Sequence, residues 1–285
     1  MTTTARPWRS VLYIPGSKDR ALEKARSLPV DAIIFDLEDA VAVEEKPNAR
    51  ALLAQALGNT DYGPRARIVR INALDSPWGH EDVYAFLGAE IEAILIPKVN
   101  SAADVQAVAD LIPGVDLWAM METPLGMLNA AEIAAHPRLT GMVMGTNDLA
   151  KDLGTRFRAD RLPMMAGLGL CLLAARAHGV TIVDGVYNAF KDVEGLRAEC
   201  EQGRDLGFDG KTLIHPDQIL VANAAFAPSD SEIDLARRQI VAFDAAQAAG
   251  QGVAVVDGKI VENLHIVTAR ATLAKAAAIA ALETV

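Results

Sequence analysis

The chain has 285 residues, 51% of them hydrophobic and 22% charged, enough for one large core of the size an α/β barrel fills. Its 27 basic and 37 acidic side chains leave a formal charge of -10, which argues against nucleic acid or an anionic membrane as a partner, so an anionic ligand needs a local basic cluster. The two cysteines, Cys171 and Cys200, sit in helical patterns and read as buried structural thiols. No run approaches the ~18 apolar residues of a membrane span and Met1 to Ser10 lacks a leader's apolar centre, so a cytoplasmic protein is expected.

Ser10 to Ile14 is the first β-type run. Pro15-Gly16-Ser17 breaks it, and a helix is predicted from Asp19 to Ser27. Lys18, Arg20, Lys24 and Arg26 crowd this turn and helix. Beside a helix start such a patch suits phosphate; an ordinary solvated helix face is the competing explanation. Ala32 to Phe35 is the second strand, and Asp36, Glu38 and Asp39 follow directly. Acids so crowded repel one another, so some need cationic partners or a raised pKa. A helix from Pro47 to Leu57 leads to the third strand, Ala66 to Asn72. Arg67 and Arg70, three apart, face opposite sides of an extended strand. Arg70 can therefore point into a barrel mouth, to grip a carboxylate or to neutralise the acidic cluster. Ala93 to Val99 is the fourth strand; Lys98 at its end is read as ion-paired within the acidic mouth rather than as a Schiff-base nucleophile.

Leu117 to Met121 and Met142 to Met144 are short apolar runs with a predicted helix, Met127 to Ala135, between them. Each stops at an acid: Glu122 directly, Asp148 after Gly145-Thr146-Asn147. Two carboxylates at the carboxyl ends of parallel strands suit Mg²⁺, which takes one or two protein carboxylates and leaves its other positions to water and substrate. The competing reading is that both acids cap helices. A helix from Gly167 to His178, a strand from Thr181 to Tyr187, a helix from Glu194 to Leu206 and a strand from Gly210 to His215 complete the series. Strands that alternate so regularly with helices predict a parallel (β/α)8 TIM barrel over residues 1–228. An open doubly wound sheet is the runner-up and lacks its glycine-rich turn. Residues 229–285 read as a helix from Asp230 to Ala249, a hairpin turning at Asp257-Gly258, and an alanine-rich helix from His265 to Leu282. So apolar an extension is expected to serve as a lid and oligomer contact.

Nine short motifs resemble, in order, the citrate lyase β-subunit-like proteins of the HpcH/HpaI aldolase family, relatives of the malyl-CoA and citramalyl-CoA lyases. They are Leu-Tyr-Ile-Pro-Gly-Ser (12–17), Asp-Leu-Glu-Asp-Ala-Val (36–41), Arg-Ile-Asn (70–72), Pro-Lys-Val (97–99) and Glu-Thr-Pro-Leu-Gly (122–126). Gly-Thr-Asn-Asp-Leu-Ala (145–150), Asp-Gly-Val-Tyr (184–187), Gly-Phe-Asp-Gly-Lys-Thr-Leu-Ile-His-Pro (207–216) and Asp-Gly-Lys (257–259) follow. The resemblance implies Mg²⁺ on Glu122 and Asp148 and substrate oxygens on Arg70. It implies a CoA thioester against Tyr13, Lys18 and Lys24, with Asn147 and the backbone at Ile214 and His215 lining the same cleft. It also implies a homotrimer or a dimer of trimers. The chain departs from the family pattern after Gly258-Lys259: where relatives place an acid/base aspartate, it carries Glu262, and the following proline is absent.

The reaction implied is Mg²⁺-dependent carbon–carbon cleavage of a malyl-CoA- or citramalyl-CoA-like thioester to a shorter acyl-CoA and a 2-oxo acid. Arg70 would stabilise charge, with Glu262 or the Asp36, Glu38 and Asp39 cluster as base. The alternatives are a (3S)-malyl-CoA-type thioesterase and a citryl-cleaving subunit of a citrate lyase complex.

Overall fold

The structure is a computed structural model that describes residues 6–283; residues 1–5, part of the stretch searched for a leader, lie outside it. It divides into a barrel unit, Trp8–Phe226, and a second unit of residues 227–283 with Arg6 and Pro7.

The barrel unit is a closed eight-stranded parallel barrel in sequential order, with the first strand paired to the last. Its elements are β1 (Ser10–Pro15), α1 (Asp19–Ala25), β2 (Ala32–Asp36), α2 (Lys46–Asn59), β3 (Ala66–Arg70), α3 (Gly79–Ala85), β4 (Ala93–Ile96) and α4 (Ala102–Leu111). Then come β5 (Asp116–Met121), α5 (Pro124–Leu128), α6 (Ala130–Ala134), β6 (Leu139–Met144), α7 (Thr146–Asp152), α8 (Met165–His178), β7 (Thr181–Asp184), α9 (Val193–Leu206), β8 (Gly210–Leu213) and α10 (Ile219–Phe226). The strands are apolar on both faces because both are buried, and the two faces feed two separate cores. Val11, Ala32, Ile34, Ala66, Ile68, Leu95, Trp118, Met120 and Val143 fill the barrel interior. Their neighbours Leu12, Ile33, Phe35, Val69, Ile94 and Ala119 pack outward against the helices. Trp118 lies 4.8 Å from the Trp8 ring and needs Gly141 beside it, since a Cβ there would come within 2.1 Å of the indole.

Several strands end earlier than the apolar runs suggest. β4 stops at Ile96 because Pro97 has no N–H to give the ladder and Lys98 takes a left-handed φ of 52°. The single helix expected from Met127 to Ala135 is two short ones, α5 and α6, that meet at Asn129, whose amide donates to the Asn100 carbonyl at 2.8 Å. Cys171 and Cys200 are buried, as expected, and burial pushes both thiols up to about 12.

The second unit comprises α11 (Asp230–Ala248), β9 (Ala254–Val256), β10 (Lys259–Val261) and α12 (Asn263–Glu283). Ser229 and Glu232 form a capping box that starts α11. The Asp257-Gly258 turn, with φ of 50° and 74°, is the expected hairpin, and Arg238 on α11 grips the Asp257 carboxylate at 2.7 and 2.8 Å. Phe243, Ala246, Ala254, Val261 and Ile266 form the unit's core, while Val255, Ile260, Leu264 and Val267 remain exposed. One expectation needs correcting: α12, 21 residues long with a mean hydropathy of 1.2 over its most apolar 18 residues, has the length and composition of a membrane span. Alanine is its commonest residue, and it carries Arg270 and Lys275, each of which costs about 2.5–3.5 kcal/mol at a membrane helix centre.

Candidate active site

Side chains two apart along a strand share a face, so the interior rows extend to the mouth. Val11 leads to Tyr13, Ile34 to Asp36, Ile68 to Arg70 and Met120 to Glu122. These four, with Asp39, Ala40, Met120, Met144, Gly145, Asn147, Asp148, Val186 and Ile214, line a cavity of about 290 Å³.

Arg70 organises one wall. Its Nε and Nη2 donate to Asp36 at 2.7 and 2.6 Å; its Nη1 lies 2.8 Å from Glu38 and 3.5 Å from Asp39. The guanidinium also stands 5.0 Å over the Tyr13 ring, whose hydroxyl burial raises above the ordinary phenol range. Burial works against the Arg70 charge, but Asp36, Tyr13 and Glu38 together more than offset it, and its pKa rises well above the usual value. Asp36 spends its oxygens further by accepting the N–H groups of Glu38 and Ala40 at 2.8 and 3.0 Å. The tight acidic turn is thus held by one aspartate rather than left to repel. Lys46 completes the hold: buried at the start of α2, its Nζ donates to the carbonyls of Leu37 and Glu38 at 3.0 and 2.9 Å. Sequence reasoning missed Lys46, which reads as an ordinary solvated residue at a helix start.

Glu122 and Asp148 form the opposite wall, and neither caps a helix. The Thr123 hydroxyl caps α5 by accepting Gly126 N–H at 3.0 Å, and Glu122 Oε1 accepts Lys98 N–H at 2.8 Å. The Asp148 carboxylate, in the first turn of α7, has no hydrogen bond or ion pair among the described residues. Gly145 makes room: a Cβ there would come within 2.3 Å of Glu122 Cβ and 2.6 Å of its Oε2. Burial, then the charge of Glu38, pushes the Glu122 carboxyl up to about 7. Two carboxylates with free lone pairs in one cavity, one strained by uncompensated burial, fit a hard divalent cation with open positions. No cluster of three or more His, Cys, Asp or Glu side chains competes for a metal among the described residues.

The remaining expected residues divide. Lys98 pairs with Glu38 at 2.7 Å, as the sequence suggested. Asn147 lines the cavity, but its amide is locked in a reciprocal pair with Asn188 at 2.7 and 3.3 Å. Ile214 lines the cavity, and the His215 ring stacks on Phe190 at 4.6 Å with its Nδ1 accepting Asp217 N–H at 3.2 Å. Lys18, just before α1, and Lys24 on it are exposed, with no ion pair among the described residues. Glu262 is exposed in the second unit just after β10, its N–H donated to His265 Nδ1 at 3.0 Å.

A closed parallel barrel that gathers paired carboxylates, an arginine and an acidic turn at the carboxyl ends of its strands has the layout of a barrel enzyme. The family model described as HpcH/HpaI aldolase/citrate lyase matches residues 9–216, and the chain belongs to this family of enzymes. It is 74% identical over 281 residues, 99% of both chains, to a (3S)-malyl-CoA thioesterase of Cereibacter sphaeroides (strain ATCC 17025 / ATH 2.4.3). An L-malyl-CoA/beta-methylmalyl-CoA lyase of Cereibacter sphaeroides (strain ATCC 17029 / ATH 2.4.9) is 35% identical, with 97% of each chain covered. Among solved structures, the protein CitE of Mycobacterium tuberculosis in complex with magnesium, acetoacetate and coenzyme A is 33% identical. It matches with a TM-score of 0.80 over 96% of this chain and 100% of that one.

Proposed function

We propose that the protein is a Mg²⁺-dependent thioesterase acting on a (3S)-malyl-CoA-like thioester. The sequence reading put carbon–carbon cleavage first and hydrolysis second. The gap between 74% identity to a thioesterase and 35% to a lyase of the same family reverses that order, and this observation carries the proposal.

Glu122 and Asp148 would hold the cation, whose contribution when bound is to polarise the substrate's carbonyl oxygen. The protein's own groups do the rest. Arg70 Nη1 faces the cavity with a weak, 3.5 Å contact to Asp39, so an anionic substrate oxygen can displace that carboxylate and take its place. Asp36 is committed to Arg70, and Glu38 is buried with one oxygen held by the Lys98 ammonium. Of the acidic cluster, Asp39 is left free to take the proton of a water that attacks the thioester carbonyl and to return it to the departing CoA sulfur. Glu262 is the second candidate for this base, from the family position it occupies. Lys18 and Lys24 would meet the phosphates of CoA. The exposed apolar residues of the second unit support an oligomer, proposed as a homotrimer and read by sedimentation.

The test is to incubate the purified protein with Mg²⁺ and malyl-CoA and identify products by mass. Malate and free CoA in equal amounts are expected. Acetyl-CoA with glyoxylate would instead establish a lyase, and activity only in the presence of acyl-carrier and transferase partners would indicate a citrate lyase subunit.

A further inference from the structure

Lys98 touches both halves of the mouth with two different groups. Its backbone N–H donates to Glu122 Oε1 at 2.8 Å, and its ammonium holds Glu38 Oε1 at 2.7 Å. It does so from a φ of 52°, a region that non-glycine residues seldom occupy. The conformation is braced from behind: Asn100 donates its amide to the Lys98 carbonyl at 3.0 Å and accepts the Thr123 hydroxyl at 2.6 Å. Glu38 itself is buried, and its second oxygen, although 2.8 Å from Arg70 Nη1, accepts no well-directed hydrogen bond. Glu38, with one oxygen's capacity to spare, is therefore bridged to Glu122 by a single residue. A divalent cation would attract it.

We propose that Lys98 is a positioning residue that holds Glu38 away from the metal pair and so keeps coordination positions open for substrate. The inference rests on the reading of Glu122 and Asp148 as a Mg²⁺ site. A third carboxylate on Mg²⁺ would bind the ion more tightly and leave one fewer position for water or a substrate oxygen. The ammonium prevents this by giving Glu38 a competing partner. The backbone N–H meanwhile fixes Glu122 Oε1 and leaves Oε2 to the cavity.

The two roles of Lys98 separate by mutation. Lys98→Gly keeps the left-handed backbone, which glycine adopts freely, and with it the N–H to Glu122, while removing the ammonium. Lys98→Met removes the charge at similar length. Mg²⁺ affinity of the substrate-free protein is measured by calorimetry, and turnover separately. Both variants are expected to bind Mg²⁺ about threefold or more tightly, to raise KM and to lower kcat. Lys98→Arg should restore wild-type values, and Glu38→Gln added to Lys98→Gly should return Mg²⁺ affinity to the wild-type level. Unchanged or weaker Mg²⁺ binding in folded Lys98→Gly and Lys98→Met overturns the proposal. Failure of the underlying metal site looks different: the wild type itself would show no Mg²⁺ binding that Glu122→Gln removes.

Discussion

Asp36 and Arg70 are register partners on neighbouring strands, and they meet fork to fork inside the barrel mouth, at 2.7 and 2.6 Å with both side chains buried. The same carboxylate also accepts the N–H groups that shape the acidic turn. Breaking a buried pair by removing one partner costs about 3–5 kcal/mol. Asp36→Asn should therefore lower Tm by that equivalent and lose activity. Asp39→Asn, whose side chain is 60% exposed, should stay within about 0.5 kcal/mol of wild type in unfolding while losing turnover. Equal Tm losses in the two variants would contradict the division of labour proposed for the cluster.

Glu122→Gln and Asp148→Asn should each abolish Mg²⁺ binding by calorimetry and reduce turnover by about 10²-fold or more, the scale of several kcal/mol of charge stabilisation. Circular dichroism should be unchanged. Full activity in a chelator, or in either variant, would exclude the pair as the metal site.

The pH dependence has a definite sign. The Glu122 carboxyl is raised from 4.5 to about 7, so between these values the folded, metal-free protein holds a proton that the unfolded chain has released. Its contribution to stability is complete below 4.5 and declines as pH rises towards 7. Mg²⁺ competes for the same carboxylate, so the gain in Tm on adding Mg²⁺ should be small at pH 5.5 and largest above pH 7.5. Glu122→Gln should erase this trend; a Tm gain that is flat with pH would argue against Glu122 as a ligand.

Lys18→Ala and Lys24→Ala should raise KM for the CoA thioester by about three- to tenfold with kcat unchanged, as expected for exposed charges that bind ground state and transition state alike. Added salt should shrink the difference from wild type. A collapsed kcat at constant KM would assign them another role.

Glu262 is the carboxylate proposed above as the second candidate for the base. Because it is exposed, Glu262→Gln should leave Tm unchanged, and a tenfold or greater loss of hydrolysis is expected if a carboxylate at this position acts as base, at the scale of general base catalysis, ~10²–10⁴. Glu262→Asp keeps the carboxylate and should retain activity. Wild-type turnover in Glu262→Gln would leave Asp39 as the base.

Much of the barrel was legible because strand parity is. Apolar residues two apart that end in Asp36, Arg70 or Glu122 carry those side chains inward without further information. Arg67 and Arg70 show the same rule in reverse: Arg67 faces outward, 3.5 Å from Glu92, while Arg70 enters the mouth. What pattern cannot give is the partner of a polar group across the chain. Lys46 on two carbonyls and Lys98 on two carboxylates both depend on where loops return. The His215 side chain shows the same limit: its stack on Phe190 depends on a residue distant in the chain.

The two buried thiols have a practical consequence. Cys171 and Cys200 are wholly enclosed and their pKa values stand near 12, so at neutral pH neither presents a thiolate to solvent. A chromogenic disulfide reagent added to the folded protein should therefore give a flat baseline. Every increment of colour during turnover then counts a sulfur freed from substrate, and the same trace would remain blank for a cleavage that leaves the acyl group on CoA.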